Sequence, residues 1–434
     1  MMHINQLQIK NFRGFEDKVI TLNPQFSCAI GDNGMGKSSF LYSVQVALGA
    51  YLQCLHLPGV KNRQFKNEER FTKWNAALKE YLPNEEMPLI KVDSEFEGYG
   101  NVGWTRIMHN NNTTSHNKRD TGQLIDIVKD LLTGRRSKPI SLPVISSFGT
   151  DRLNSQIRKG KNAQKRRQRI EKGYLAALED KVDFNGVIEW LHNYDSEIKY
   201  EKEFEGTREA VFEAIMVAIP YLEDLNYNSF YHELEAFVNI DDQQNGKKTH
   251  SNMSDGLIAM LNLTAELAYR CVMLNGHFGK NAVKYSKGVV MIDELDMHLH
   301  PNWQRHIVSD LKKAFPLIQF IITTHSPFIV QSLSEDELII LDNDIRKDGD
   351  PYKKSIEEVS AGEMGVAEIP RSEKFLEQQK VAEEYYRLIE KGKTSDSDEN
   401  VARLRSRLNE LEEMFGEDAA FVAALKIERG SNSL

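Results

Sequence analysis

Short apolar runs separated by turn residues open the chain. Period-two alternation over 4–9, a β-branched run over 19–22 and a run over 26–30 typical of a buried strand predict three strands. A glycine-rich segment follows, and residues 38–52 then carry apolar side chains at helical spacing. We therefore expect strands, a glycine-rich loop and a helix, in that order.

The middle of the chain carries weaker patterns. Residues of about 54–138 show little periodicity and are interpreted as an insertion, whereas 143–149 predicts a short strand that ends in glycine. Nine bases and one acid lie between 152 and 172. Apolar residues at helical spacing over 184–222 indicate a helical subdomain at about 153–245.

Four further segments complete the predicted fold. Asn245 and Gly246 predict a turn, and residues 257–273 predict a helix. Apolar runs over 289–292 and 320–324 predict buried strands. Together with the N-terminal elements they indicate an α/β fold with a mixed β-sheet.

The residues after Leu341 are more charged, and we expect 342–434 to be an acidic helical region for association with a partner or with itself. Residues 391–400, rich in Ser, Asp and Lys, are interpreted as a linker. Apolar residues spaced three and four apart then form a narrow seam that can pair with another helix: Val401, Leu404, Leu408, Leu411 and Phe415.

Composition and charge narrow the class of protein. The 434 residues are 40% hydrophobic and 27% charged, as in folded globular proteins. The net charge of -9 comes from residues 331–434, which hold 25 acids and 15 bases, so the near-neutral remainder gives no general reason to bind nucleic acid. No apolar run approaches the roughly 20 residues of a membrane span, no signal pattern opens the chain, and three scattered cysteines suggest structural thiols. A cytoplasmic protein without a membrane segment is expected.

Residues 31–38, Gly-Asp-Asn-Gly-Met-Gly-Lys-Ser, match the phosphate-binding loop in full and lie between a predicted strand and a predicted helix. Backbone N–H groups of such a loop turn toward phosphates, the lysine reaches the β and γ oxygens, and the serine hydroxyl can ligate Mg²⁺. We expect ATP and Mg²⁺ to bind here, with contacts from Asn33, Gly34, Gly36, Lys37, Ser38 and Ser39.

Polar residues follow two of the predicted strands. Asp293 and Glu294 end one, and His325 ends another. Asp293 is expected to hold Mg²⁺ together with Ser38, and Glu294 to polarise the attacking water as general base. His325 is expected to contact the γ-phosphate, so Lys37, Glu294 and His325 form the predicted catalytic set.

Five segments together resemble the ABC-type AAA ATPases related to RecF, SMC and OLD proteins: 11–15, 31–38, 253–256, 292–301 and 324–327. In that family two heads close around ATP, and the signature segment of one head reaches the γ-phosphate held by the other. The resemblance implies an ABC-type P-loop ATPase head over residues 1–341.

The resemblance also assigns roles to single residues. Ser254 and Gly256 would act in trans, Asp296 would belong to the interface D-loop, and Arg13 would lie near the nucleotide. A homodimer is the minimum assembly that such a signature requires, and a higher homo-oligomer remains open.

One departure from the family pattern stands out, and one histidine pair inside the family's D-loop pattern invites a metal-site interpretation. The glutamine that usually ends the strand after the insertion is missing from 146–152, where Arg152 is the one substitute considered. The alternating His298 and His300 could suggest a second metal, but no third ligand has convincing spacing, so no metal site besides the Mg²⁺ site is expected.

The chain lacks the long heptad arms of SMC proteins and the metal-binding domain that follows the OLD head, so no intrinsic nuclease is predicted, and the acids at 342 and 344 are interpreted as a solvated turn. It most resembles the PtuA ATPases of bacterial anti-phage defence, found in Septu systems and some retrons, also over 166–174 and 183–191. Those ATPases work with PtuB, an HNH-type nuclease. The resemblance implies an ATPase that controls such a nuclease, with a reverse transcriptase and retron DNA as further partners in a retron.

Two alternatives stay open from the sequence. A DNA-repair ATPase of the RecF and SMC kind would load directly on DNA through the basic run 152–172. An ATP-locked scaffold with negligible turnover would use the same nucleotide motifs without catalysis.

Overall fold

A computed structural model describes residues 2–109, 113–134, 139–153, 168–240, 243–342, 344–366, 373–391 and 398–414. The chain divides into two compact units, Met1–Val366 and Ala367–Leu434. Each unit has a hydrophobic cluster of its own. They are described separately below.

The described residues form fourteen strands, and their bounds follow in chain order. They are β1 (Met2–Phe12), β2 (Phe15–Thr21), β3 (Phe26–Ile30), β4 (Thr72–Asn75), β5 (Glu80–Pro83), β6 (Leu89–Phe96), β7 (Gly100–Ile107), β8 (Val144–Phe148), β9 (Leu222–Asn228), β10 (Glu233–Ile240), β11 (Gln243–Thr249), β12 (Gly288–Ile292), β13 (Ile318–Thr323) and β14 (Leu338–Ile340).

The α-helices of the described residues follow in the same order. They are α1 (Lys37–Leu55), α2 (Lys118–Gly134), α3 (Arg169–Tyr174), α4 (Phe184–Ile198), α5 (Thr207–Ala218), α6 (Asp255–Asn275), α7 (Ala282–Tyr285), α8 (Pro301–Gln304), α9 (Ile307–Ala314), α10 (Pro327–Gln331), α11 (Ile356–Gly362), α12 (Glu373–Glu390) and α13 (Glu399–Met414).

Two main sheets build the first unit. The first is fully parallel, in the order β14-β3-β13-β12-β8, and the second is antiparallel, in the order β2-β1-β6-β7. Every residue of β12 and β13 is buried, as expected of strands covered on both faces. In contrast, burial alternates along β1 and β6, so one face of the antiparallel sheet packs on the core. The predicted α/β class with a mixed sheet system is confirmed.

The core helix α6 is apolar around nearly its whole circumference. By length and composition, the segment from Asp255 to Tyr285 could cross a membrane, but 94% of its apolar window is buried inside the protein. Burial of this kind is typical of a helix at the centre of a globular unit, so the segment is weak evidence for a span.

The segment at 54–138, expected to be an insertion, contributes two strands to the main antiparallel sheet. β6 pairs with β1 along eight residue pairs, and β7 pairs with β6. β1 lies between β2 and β6 in the sheet, so its backbone N–H and C=O groups find hydrogen-bond partners on both sides. Only the β4–β5 hairpin forms a separate two-stranded sheet.

The region expected to be helical at 153–245 is mixed. Helices α3, α4 and α5 occupy its described first part, but β9, β10 and β11 then form a three-stranded antiparallel sheet. The predicted turn at Asn245 and Gly246 is wrong, because both residues lie inside β11, where the register with β10 shifts. Gly246 has a φ of 73°, which a bulge there requires.

The first unit extends beyond the expected boundary at 341. Val359 of α11 is fully buried in its hydrophobic cluster. The Tyr352 N–H donates to the carbonyl of Leu333 at 3.3 Å, and Gln331 Nε2 donates to the carbonyl of Lys354 at 2.7 Å. These contacts place the residues up to Val366 with the head. Asp342 forms the expected exposed turn by accepting from the N–H of Asp344 at 2.9 Å.

The second unit is a helical hairpin of α12 and α13. Val401 and Leu408, at the predicted seam, are buried against Ala382 and Tyr385 of α12. The seam therefore pairs with a helix of the same chain. Phe415 and most of the predicted linker lie outside the described residues.

We predict that Gly288→Ala destabilises the first unit strongly. Gly288 begins β12 with a φ of +155°, and a Cβ atom there would lie 1.9 Å from the carbonyl oxygen of Val144 on β8. Neither backbone can move without breaking the parallel register, so we expect the free energy of unfolding to fall by about 3 kcal/mol or more. Thermal melting followed by circular dichroism measures the effect.

The matched control is Gly362→Ala in α11, where nothing lies within 4 Å of the added atom. This change should leave the melting temperature unaltered or raise it slightly, since Ala is favoured over Gly in helices. Equal melting of the two variants would contradict the role of Gly288.

Candidate nucleotide-binding site

The phosphate-binding loop joins β3 to α1. Gly34 and Gly36 adopt φ values of 90° and 92°, which residues with a Cβ rarely adopt, so the loop can turn its N–H groups inward. Lys37 is buried, and its Nζ donates to the carbonyls of Gly31 at 2.6 Å and Asp32 at 3.2 Å. Burial lowers the pKa of Lys37 although surrounding carboxylates oppose this. The loop therefore presents backbone donors and one ammonium group to an anion.

The first turn of α1 adds further donors to this loop. Gly36 is the N-cap and has no side chain to occupy the free N–H groups. Asn33 is exposed and Ser39 is half-buried, so both are accessible from the loop side. Free N–H groups at a helix N-terminus attract phosphate oxygens, which suits the predicted contacts.

A hydroxyl and a carboxylate meet at the carboxyl ends of the central strands. Ser38 Oγ donates to Asp293 Oδ2 at 3.0 Å, and Thr323 Oγ1 at the end of β13 donates to Asp293 Oδ1 at 2.5 Å. Hard oxygen ligands of this kind are those that Mg²⁺ prefers, so the pair fits the predicted Mg²⁺ ligands.

Glu294 stands in an unusual backbone conformation beside this pair. Its φ is 48°, which costs about 1–2 kcal/mol for a residue with a side chain. The Glu294 N–H donates to Thr323 Oγ1 at 2.8 Å, so the strand end is held by a neighbouring side chain. The negative charges of the Glu294 and Asp293 carboxylates favour the charged form of Lys37 and so oppose the lowering of its pKa by burial. The predicted base therefore lies at the predicted phosphate site.

Arg152 is buried directly behind these carboxylates. Its Nη1 donates to the carbonyl of Asp293 at 2.9 Å, and its Nη2 donates to the carbonyl of Glu294 at 2.6 Å. Only 2% of the residue is exposed. Burial lowers the pKa of the guanidinium to about 10, whereas Asp296, Asp293 and Glu294 raise it. Arg152 is a charged support of the strand end, a role that the sequence did not reveal.

Asp296 connects the predicted D-loop to the histidine-bearing turn of the same chain. Its Oδ1 accepts from Thr324 Oγ1 at 2.6 Å and from the N–H of His325 at 3.2 Å. His325 itself is exposed. The Asp296 carboxylate therefore orients the backbone from which the His325 side chain projects.

The predicted signature segment begins α6. Ser254 is the N-cap, is exposed and makes no capping hydrogen bond through its side chain. A Cβ atom on Gly256 would lie 2.5 Å from the carbonyl oxygen of His298, so a side chain at 256 would displace the D-loop. The structure thus places the signature segment next to the D-loop, with the Ser254 hydroxyl facing outward.

Arg13 has a partner within the chain. Its Nη2 donates to Glu69 Oε1 at 2.8 Å, and its guanidinium lies 4.3 Å from the ring centre of Tyr42. Arg63 also pairs with Glu69. Burial would raise the pKa of Glu69, but the hydrogen bonds from Arg63 and Arg13 outweigh it and hold this pKa below its ordinary value. A nucleotide contact by Arg13 would have to be shared with this ion pair.

Residues 26–331 match a family model described as AAA domain, putative AbiEii toxin, Type IV TA system, which covers more than half of the chain. The chain belongs to this AAA family.

Three relatives of this AAA protein are named as retron ATPases or as a Septu protein. It is 24% identical to the retron Ec83 probable ATPase of Escherichia coli, over 98% of this chain and 86% of that protein. It is 40% identical to the retron Vc95 probable ATPase of Vibrio cholerae over 21% of this chain and 17% of that protein. It is 41% identical to the Septu protein PtuA of Bacillus mycoides over 22% of this chain and 13% of that protein. The predicted resemblance to retron and PtuA ATPases is confirmed.

Two solved structures resemble this AAA protein in part. One is the Smc head bound to the C-winged helix domain of ScpA, with a TM-score of 0.46 and 16% identity over 78% of this chain and 93% of that chain. The other is the SMC head domain from Thermotoga maritima, with a TM-score of 0.40 and 15% identity over 78% of this chain and 94% of that chain.

The basic run 152–172 of the AAA protein is only partly described. Residues 154–167, with six of its nine bases, lie outside the described residues. Arg169 pairs with Glu201, and Lys172 lies 3.9 Å from Glu197. Together with the buried Arg152, every base of the run that the structure describes is already engaged.

Among the residues of the AAA protein that the structure describes, no group of three or more His, Cys, Asp or Glu side chains is placed to hold a metal ion. His300 instead caps α8, since its Nδ1 accepts from the N–H of Asn302 at 3.3 Å. His298 is exposed and has a φ of 66°, which shapes the D-loop.

A half-buried carboxylate that the sequence did not reveal, Asp180, lies near the end of β8. Gln45 Nε2 donates to Ser147 Oγ at 2.9 Å and to Asp180 Oδ1 at 2.5 Å. Burial raises the pKa of Asp180, hydrogen bonds from Ser147 and Gln45 oppose this, and the Asp293 charge adds to the rise. A polar cluster that includes an amide from α1 therefore lies at Ser147, within the stretch 146–152 that lacks the family glutamine.

We predict that Thr323→Val weakens both the stability and the activity of the site. The change keeps the shape of the side chain but leaves the Glu294 N–H and one Asp293 oxygen without this partner. The free energy of unfolding should fall by about 1–2 kcal/mol, and ATP turnover should fall as well. Chemical denaturation and a phosphate-release assay measure the two effects.

Thr264→Val is the matched control for this substitution. Thr264 is also fully buried, but its hydroxyl donates only to carbonyls of its own helix, with the shorter bond, to Met260, at 2.7 Å. Turnover equal in both variants would show that the Thr323 hydroxyl does not support the site.

Proposed function

We propose that this AAA protein binds Mg²⁺ and ATP and hydrolyses the ATP. The observation that carries this proposal is the direct hydrogen bond between Ser38 of the phosphate-binding loop and Asp293 at the end of β12, with Glu294 as the next residue. The hydroxyl and the carboxylate proposed to bind the metal, and the carboxylate proposed as general base, thereby lie at one end of a parallel sheet, which supports the proposal.

Each residue of the proposed site has a definite task. Lys37 neutralises charge on the β- and γ-phosphates, and Ser38 and Asp293 hold Mg²⁺. Glu294 accepts a proton from the attacking water, and His325 contacts the γ-phosphate. Bound Mg²⁺ would polarise the phosphate oxygens and balance the charge of the leaving group.

We further propose that two heads close around ATP. Ser254 and Gly256 would then contact the γ-phosphate held by the partner head, with Asp296 at the interface. The exposed N-terminus of α6 supports this, since its N–H groups and the Ser254 hydroxyl can receive an anion from outside the chain.

The biological task we propose is control of a nuclease partner of the HNH type, similar to PtuB, in anti-phage defence. The names of the retron and Septu relatives support this proposal, and in a retron setting a reverse transcriptase and retron DNA would join the assembly. The hairpin of α12 and α13 offers a surface for such a partner. ATP-dependent closure of the heads would then set whether the nuclease is restrained.

We predict that Glu294→Gln abolishes turnover and retains ATP. The amide keeps the size of the side chain but cannot accept the proton of the attacking water, so hydrolysis should fall at least about a hundredfold. Phosphate release measures turnover, and size-exclusion chromatography with light scattering should show a dimer that persists with ATP. If the wild type and the variant both showed negligible turnover, the result would favour an ATP-locked scaffold without catalysis instead.

The nuclease partner is tested by purifying the tagged full chain from its native operon and identifying what stays bound. We expect an HNH protein to co-purify with the full chain and to be lost from a chain that ends at Val366, the end of the first unit. Retention by the shortened chain would assign the contact to the head. A full chain that carries only nonspecific DNA would contradict the nuclease proposal.

A further inference from the structure

Arg152 occupies a position from which it controls the geometry of the catalytic carboxylates. Its two terminal nitrogens donate to the carbonyls of Asp293 and Glu294, a contact called the Arg152 bridge below. The residues lie 141 and 142 positions apart in the sequence, so the bridge is purely tertiary. A planar guanidinium fork holds two acceptors at a fixed spacing, which a lysine cannot do.

The Arg152 bridge contacts the backbone just after the end of β12, where the strand no longer fixes the backbone conformation. Glu294 has a positive φ, and the strand β12 ends two residues before it. The Glu294 carbonyl also accepts from the N–H of Met297 at 3.0 Å, which closes the first turn of the D-loop. The Arg152 bridge therefore fixes the peptide groups from which the Asp293 and Glu294 side chains project.

The backbone of Arg152 is itself held by the signature helix. Asn262 of α6 is fully buried, and its Nδ2 donates to the Arg152 carbonyl at 3.0 Å. The Asn262 Oδ1 lies 2.8 Å from His250 Nε2, and since the amide oxygen only accepts, the imidazole donates. His250 also stacks on Phe184 with ring centres 4.3 Å apart. One continuous set of contacts thus joins α4, α6 and the catalytic strand end.

We propose that Arg152 is a positioning residue for ATP hydrolysis, which sets the peptide groups of Asp293 and Glu294 in their catalytic orientation, and that Asn262 couples this orientation to the signature helix. The proposal rests on the function proposed above. A signature helix displaced by the partner head's ATP would, through Asn262 and Arg152, act on the general base of its own head. Hydrolysis in one head would then respond to occupancy of the other.

The first test is Arg152→Lys, which keeps the charge and most of the volume but loses the fork. We expect kcat for ATP hydrolysis to fall at least tenfold, with the Kd for ATP within threefold of wild type and ATP-dependent dimerisation retained. A loss of ATP affinity equal to the loss of kcat would assign Arg152 a general structural role and overturn the proposal.

The matched control is Arg270→Lys. Arg270 is also 2% exposed and also donates to two carbonyls, of Gly173 at 3.0 Å and Leu175 at 2.8 Å, but these belong to α3 and its C-cap and not to the catalytic strand ends. This variant should lower the melting temperature without changing kcat of the folded protein. Equal reductions of kcat in the two variants would overturn the proposal.

The coupling is tested by Asn262→Ala alone and with Arg152→Lys. We expect the single change to lower kcat at least threefold with ATP affinity retained, and the double variant to turn over ATP no more slowly than Arg152→Lys. If the loss of kcat in the double variant equalled the product of the two single losses, Asn262 would not act through Arg152. If Arg152→Lys does not fold, the single Asn262→Ala change still tests the proposal, since an unchanged kcat would overturn the coupling.

Failure of this inference and failure of the proposed function are distinguishable. A wild-type chain that binds ATP but never hydrolyses it would overturn the ATPase proposal and this inference with it. A wild-type ATPase that Glu294→Gln silences and Arg152→Lys leaves unchanged would overturn the inference alone.

Discussion

The hydrogen bonds that converge on Asp293 hold the first unit together at its functional end. The carboxylate accepts from Ser38 and Thr323, the N–H donates to the carbonyl of Phe148 at 2.9 Å, and the carbonyl accepts from Arg152. One residue thereby joins the phosphate-binding loop to β13, β8 and the loop after β8. A slip of β12 by one residue would turn the Asp293 carboxylate to the other face of the sheet.

Four of the five strands of the parallel sheet could be predicted from the sequence because they are short apolar runs, and the phosphate-binding loop is a local motif; the three-residue strand β14 was not predicted. The antiparallel sheet was harder to predict. Ser94 occupies a buried position of β6 and interrupts the apolar alternation, and the structure accommodates it by a bond from Ser94 Oγ to the carbonyl of Val102 at 2.7 Å. β11 contains Gln, Asn and Lys with hardly an apolar residue, so its place in a sheet depends on β10 alone.

In the candidate site, too, the features that depend on neighbouring residues could be predicted, and the contacts between residues far apart in the sequence could not. The residue types of the phosphate-binding loop and of the two strand ends follow from nearby positions. The partners of Arg13 and Arg152 do not, because Glu69 is 56 residues from Arg13 and Glu294 is 142 residues from Arg152. A single sequence shows that a charge is present and not what it faces, so a basic residue that fits a surface run can be a buried support.

The strand that carries the phosphate-binding loop is made long before its neighbours. β3 pairs with β13 and β14, and Phe26 lies opposite Phe320, about 300 residues later. At a synthesis rate of about 5–20 residues per second, roughly 15–60 s pass before these partners leave the ribosome. Contacts of such high sequence separation also slow folding. During translation the nucleotide site is therefore among the last parts to form, and a nascent chain that stops short of β13 cannot complete it.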